Sequence, residues 1–171
     1  MIVLMAGLPG TGKTTLAHAL AERTSGRVLS KDQIRGAVFR EEEIEFSSRQ
    51  DDLCVEMILD VAAHLLDRDS ARVIYLDGRP FSRRYQIDNV VARATSLHQP
   101  WRILECVCSE KTAKQRLEDD VAARAHAARN RDFQLYLEVK ARFEAITQPK
   151  TLIDTDQPLE ACAQRALQAL T

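Results

Sequence analysis

The chain reads as a three-layer α/β protein: a five-stranded parallel sheet with helices on both faces. Two patterns predict this. Apolar runs of strand length alternate with helix-length amphipathic segments from the first residues to the last. Strands separated in this way pair in parallel through right-handed crossovers. A third observation marks the working edge. The first apolar run ends in a glycine-rich loop that opens a helix, and in such folds ligands lie beyond the carboxyl ends of the strands.

Met1–Ala6 is continuously apolar and ends at Gly7, as expected of a strand buried on both faces. Thr14–Arg23 reads as a helix, and Arg27–Leu29 as a second, weaker strand. Ser30 followed by Gln33 is a capping-box pattern that opens a helix through Phe39. Ser47–Asp67 places Leu53, Met57, Ile58, Val61 and Leu65 at helical spacing, predicting a long amphipathic helix. Arg72–Asp77 is the clearest interior strand, Ser82–Ser96 a helix, and Trp101–Cys108 another strand. A helix follows from Glu110, then an alanine- and arginine-rich stretch through Arg131 and a helix over Asp132–Ile146. Thr151–Asp154 is a last short strand and Leu159–Leu170 a closing helix.

At 171 residues the chain suits one domain spanning residues 1–171. Its net charge of −1 supplies no global basic field for nucleic acid. Cys54, Cys106, Cys108 and Cys162 are scattered without CxxC pairs or histidines at metal spacing, which predicts reduced structural thiols. The opening MIVLMA is too short for a signal-peptide core and lacks a basic flank. No apolar run approaches the ~20 residues needed to span a bilayer, so a cytoplasmic location is expected.

Gly7-Leu8-Pro9-Gly10-Thr11-Gly12-Lys13-Thr14, followed by Thr15, fits the phosphate-binding pattern G-x-x-x-x-G-K-[ST] in its required strand-to-helix setting. Glycines let successive amides turn toward an anion, and the helix N-terminus adds partial positive charge. Lys13 is expected to reach the β- and γ-phosphates of ATP and the Thr14 hydroxyl to ligate Mg²⁺. Guanine-specificity signals of the N-K-x-D type are absent.

Phosphoryl transfer also needs a base for the acceptor, a carboxylate near the metal and cations for the transferring group. Asp32, after the second strand, is the base candidate, with Arg35 one helical turn on to hold acceptor or phosphate. The alternative for Asp32 is a purely electrostatic role at a helix N-terminus. Asp77 closes Val73-Ile74-Tyr75-Leu76, resembling a Walker B strand whose acid meets Mg²⁺ through water; Asp77-Gly78 is otherwise a common turn. Arg79, Arg83 and Arg84 follow at the same edge as candidates for an anionic substrate or the moving phosphoryl group. The stretch from Arg116 to Arg131 is a candidate lid, with Arg116 and Arg124 its preferred arginines. The competing reading of that stretch is a helix with a solvated charged face. The loop Asp154–Pro158 is placed to touch adenine. The four histidines read as structural or solvated, and Glu41–Glu45 with Asp51 and Asp52 as a solvated charge run, the alternative being attraction of a cationic acceptor.

With GLPGTGKTT, SKDQIR, YLDGRPFSRR, CSEKTAKQRL and NRDFQLYLEVKARFE in place, the chain resembles small P-loop kinases grouped as AAA-type ATP-binding or zeta-toxin-like domains. The group includes polynucleotide 5′-kinase domains, gluconate kinase, chloramphenicol phosphotransferase and adenylyl-sulfate kinase. The resemblance spans essentially the whole chain. It implies a P-loop NTPase fold with an arginine-bearing lid and Lys13 and Thr14 at ATP and Mg²⁺. It further implies Asp32 as base, Arg35 beside the acceptor, Asp77 as the third-strand acid, and Arg116 or Arg124 as the lid arginine. The implied activity is ATP- and Mg²⁺-dependent transfer to a hydroxyl, a small molecule before a polynucleotide 5′ end, with no membrane or obligate protein partner. A nucleotide-gated switch or toxin-type regulatory module is the alternative. Relatives usually carry Asp-x-Asn or Asp-Ala-Thr-Asn where this chain has Asp77-Gly78-Arg79, so the acceptor does not follow from the resemblance.

Overall fold

In the computed structural model, residues 1–123 and 132–171 are described. Five strands form one sheet: β1 (Ile2–Ala6), β2 (Arg27–Ser30), β3 (Ile74–Asp77), β4 (Trp101–Val107) and β5 (Thr151–Asp154). Their order is β2-β3-β1-β4-β5 and every pairing is parallel. The helices are α1 (Lys13–Thr24), α2 (Lys31–Val38), α3 (Ser48–Arg68), α4 (Arg84–Ser96), α5 (Glu110–Ala123), α6 (Phe133–Ala141) and α7 (Leu159–Leu170). This is the three-layer P-loop NTPase fold expected from the sequence.

Central β1 shows why its run had to be continuously apolar. All five of its residues are fully buried, because successive side chains leave opposite faces and both faces are covered. Ile2, Leu4 and Ala6 join a core with Val55, Leu59 and Ala62 of α3 and Ile87, Val90 and Ala94 of α4. Val3 and Met5 enter the opposite core with Leu16 and Leu20 of α1 and Cys162, Ala163 and Ala166 of α7. Each fully buried Leu or Ile contributes roughly 1.5–3 kcal/mol, so the sheet is held from both sides. A third, smaller cluster joins Ala113 and Leu117 of α5 and Tyr136 of α6 to Leu8 in the glycine-rich loop.

Several boundaries differ from the sequence expectation. Helix α3 buries Cys54, Val55, Ile58, Leu59, Ala62 and Leu66, while Leu53 and Val61 are exposed. Small Cys54 and Ala62 complete the buried stripe, and an expectation built on large apolar residues misplaces the face. Helix α4 starts at Arg84 instead of Ser82, since Phe81 takes a left-handed φ of 53° and Arg83 is extended. Helix α6 stops at Ala141, well before Ile146. Beyond it the Glu144 N–H donates to the Ser82 carbonyl at 2.9 Å, which draws the chain across to the β3–α4 loop. At α2, Ser30 caps the helix by accepting from the Gln33 N–H at 3.5 Å.

No helix of the described residues is long and apolar enough to cross a membrane. The four cysteines are unpaired, and Cys54, Cys106 and Cys162 are buried. Burial pushes the Cys106 thiol from 9.0 up to about 12. Between those values the unfolded chain releases a proton that the folded chain keeps, so this thiol's contribution to stability falls as pH rises through that window. A thiol reagent near neutral pH is therefore expected to label about one cysteine, Cys108, in the native protein and all four after unfolding. Counting labels by intact mass checks this.

Candidate active site

Three strand ends converge on the site. The loop after β1 runs from Gly7 to the start of α1, with Gly12 as the left-handed N-cap at φ 75°. Gly7 is obligatory here: its φ is 128°, and a Cβ would stand 2.3 Å from the Cys106 carbonyl oxygen. Thr11 Oγ1 donates to the Leu8 carbonyl at 2.8 Å and braces the turn. The Lys13 ammonium donates to the carbonyls of Gly7 (2.8 Å) and Leu8 (2.6 Å), lying back along the loop. The first turn of α1 holds no acidic residue, so its dipole is left for an anion. Pro9 borders one cavity of the site, and Gly10 and Thr15 border the other.

Thr14 Oγ1 donates to Asp77 Oδ2 at 2.8 Å. Asp77 is 3% exposed, and its Oδ1 is buried without a hydrogen-bond partner. An orphaned carboxylate oxygen beside a phosphate loop and a threonine hydroxyl fits Mg²⁺, which is held by few carboxylates plus substrate phosphates. Among the described residues no group of three or more His, Cys, Asp or Glu side chains forms a metal cage.

Asp32 reaches this point through strand register. Ser30 pairs with Asp77 across β2 and β3, so the first turn of α2 begins beside the Asp77 carboxylate. Asp32 is buried, and Lys31 (3.1 Å) and Arg35 (3.3 Å) both contact its Oδ1. Asp51 of α3 accepts from the same two cations, from Lys31 at 2.9 Å and from Arg35 Nη2. Burial pulls the Lys31 ammonium below its usual range, against the opposing pull of Asp32. Arg35 also lies 5.2 Å from the ring centre of Phe46, a cation–π contact made by a residue at a left-handed φ of 48°.

These side chains line a cavity of about 160 Å³ that includes Lys13, Thr14, Asp32, Arg35 and Asp77. Asp32 is thus not an enclosed cap, for the cavity opens directly beside it. Arg79 and Arg83 line it as well. Arg79, 3% exposed, pairs with Asp52 at 2.6 Å, and Arg83 pairs with Glu144 at 3.0 Å. Arg84 is not in the cavity. It opens α4 with an exposed side chain, and its backbone N–H donates to Glu144 at 2.7 Å.

A second cavity of about 380 Å³ lies on the other side of the loop, bordered by Gly12, Thr15, Arg116, Thr155 and Gln157. Arg116 donates to Thr155 Oγ1 (3.1 Å) and to its carbonyl (2.7 Å). Thr155 Oγ1 in turn donates to the Thr11 carbonyl at 3.1 Å, which fastens the loop after β5 to the phosphate loop. Arg124 and residues 124–131 of the expected lid lie outside the described residues.

Sequence reasoning missed Lys31, Phe46 and Arg142 as cavity residues. It also read Asp51 and Asp52 as solvated, whereas both hold site cations. Nothing local marks such acids; only tertiary pairing does.

Residues 2–149 match the model of a family described as AAA domain. No curated protein matches the chain by sequence. Among solved structures, a candidate kinase from Chloroflexus aurantiacus superposes with TM-score 0.76 at 23% identity, covering 99% of this chain and 98% of that one. The APS kinase CysC of Mycobacterium tuberculosis, solved with AMPPNP and APS, gives 0.74 at 16% identity over 99% and 96%. A gluconokinase from Sinorhizobium meliloti gives 0.68 at 19% over 99% and 90%.

Asp51→Asn leaves two buried cations sharing one carboxylate. The expected loss is about 1–3 kcal/mol, below the range for a fully buried pair because Asp51 keeps some exposure. Urea unfolding with an unchanged slope checks it, and Glu42→Gln, on the exposed stretch, is expected to stay within about 0.5 kcal/mol of wild type.

Proposed function

The chain belongs to the AAA domain family, and we propose that within it the protein is an ATP- and Mg²⁺-dependent phosphotransferase acting on the hydroxyl of a small molecule. One observation carries this reading: the Asp32 carboxylate shares a cavity wall with Lys13, Thr14 and Asp77, between the phosphate loop and a space of small-molecule size. The superposed relatives support it by what they act on, APS in one case and, by its name, gluconate in another. In this reading residues 1–171 act as one domain, with the segment around residues 116–131 as its lid.

The loop amides and Lys13 hold the β- and γ-phosphates. Thr14 and Asp77 would hold Mg²⁺, which supplies positive charge against those phosphates. Both cation contacts to Asp32 fall on Oδ1, which leaves Oδ2 for the acceptor's O–H. The acceptor oxygen attacks the γ-phosphorus, the bond to the β,γ-bridging oxygen breaks, and ADP leaves. The hydroxyl proton passes to Asp32. Arg35 orients the carboxylate and the incoming group, while Arg116, with Arg124 from the lid, balances charge on the moving phosphoryl group. The cavity bordered by Thr155 and Gln157 takes the purine side of ATP.

Acceptor-dependent ADP release, assayed over a panel of hydroxylated metabolites, tests this directly. Lys13→Ala is expected to abolish it. Asp32→Asn is expected to lower kcat by about 10²–10⁴-fold while nucleotide affinity holds. Acceptor-independent turnover of the same size in wild type and Asp32→Asn would contradict the assignment.

A further inference from the structure

We propose, on the basis of the phosphotransferase reading, that the acceptor is itself a small anion. Its carboxylate, sulfate or phosphate group sits against Arg79, Arg83 and Arg142 while its hydroxyl meets Asp32. The charge balance of the cavity leads there. Its wall carries six cations, Lys13, Lys31, Arg35, Arg79, Arg83 and Arg142, against three carboxylates, Asp32, Asp51 and Asp77. Lys31 and Arg35 are balanced within the wall by Asp32 and Asp51. Lys13 and Asp77 belong to the nucleotide and its metal. Arg79, Arg83 and Arg142 remain, with no carboxylate of the wall to answer them.

Their partners lie on the rim. Asp52 holds one Nη of Arg79, with its own side chain 41% exposed, and Glu144 holds Arg83, with its side chain 44% exposed. The Arg142 N–H closes helix α6 on the Val139 carbonyl at 3.2 Å, and its side chain makes no hydrogen bond or ion pair among the described residues. Arg79 is 3% exposed, yet its Nε is buried with no acceptor. A guanidinium held in the wall with an unanswered donor marks a place where an oxygen is due. Placement agrees. Arg79 follows Gly78, which packs so closely on α2 that a Cβ there would lie 3.1 Å from the Lys31 and Asp32 amides and 3.2 Å from Asp32 Oδ2. Arg79, Arg83 and Arg142 therefore line the same cavity as the base. A neutral alcohol would offer no charge-assisted acceptor to the Arg79 Nε or to the Arg142 guanidinium, which disfavours its binding.

The test uses the full chain saturated with Mg²⁺ and AMPPNP, so that the phosphate loop is already filled. Matched pairs, glycerate with glycerol and gluconate with glucitol, are titrated by calorimetry, with a 5′-hydroxyl oligonucleotide as a further arm. The anionic member of a pair is expected to bind at least about tenfold tighter, as charge-assisted contacts imply. Arg83→Gln combined with Arg142→Gln is expected to close that gap, with fold checked by circular dichroism and AMPPNP loading measured in each variant. With ATP, the same variant is expected to raise KM for the anion more than it lowers kcat. Equal binding of both members, or preference for the oligonucleotide, overturns the inference while leaving phosphotransfer standing. Tight anion binding without any phosphate ester formed from ATP keeps the anion site and overturns the phosphotransferase reading.

Discussion

The site depends on one alignment, the pairing of Ser30 with Asp77 at the ends of β2 and β3. Parallel strands bring their carboxyl ends to a common edge, and this register brings α2 in beside the third-strand acid. Gly78 makes the approach possible. At φ 87° it has no Cβ to collide with the Lys31 and Asp32 amides. Next door, β1 pairs with β3 and feeds the glycine-rich loop, so the candidate base, the third-strand acid and that loop stand together because three strand ends do.

Holding them there is costly. Lys31, Asp32, Arg35 and Arg79 are all less than a tenth exposed, and each would rather be in water. The structure offsets this with shared partners, Asp51 bridging two cations and Asp52 taking a third. Phe46 and Phe81 both sit at left-handed φ near the cavity, a strain of order 1–3 kcal/mol each. The two hydrophobic cores against the sheet supply the surplus that tolerates it.

Legibility in the sequence followed how local each feature is. The phosphate loop is a contiguous pattern whose strand and helix can be read on either side, and it occupies the place expected. Asp32 and Asp77 were accessible through a rule about strand ends, and the structure brings them into one cavity. Asp51 and Asp52 belong to a helix that arrives from elsewhere, and their charges read as solvated because nothing in their neighbourhood names a partner. Arg84 was grouped with Arg79 and Arg83 by proximity in the chain, but a helix start turns its side chain outward. The buried face of α3 was misjudged because Cys54 and Ala62, small residues, carry part of it. The early end of α6 has the same origin: Glu144 and Ser82 meet only in three dimensions.

In the proposed reaction Asp32 directs the γ-phosphoryl group to an organic hydroxyl and away from water. Phosphorus NMR of the γ-phosphate, followed in the presence of a turned-over acceptor, measures that partition. A phosphate ester is expected as the main product of the wild type, with free phosphate displacing it in Asp32→Asn while nucleotide binding stays intact. An unchanged ratio of ester to free phosphate in the variant would contradict it.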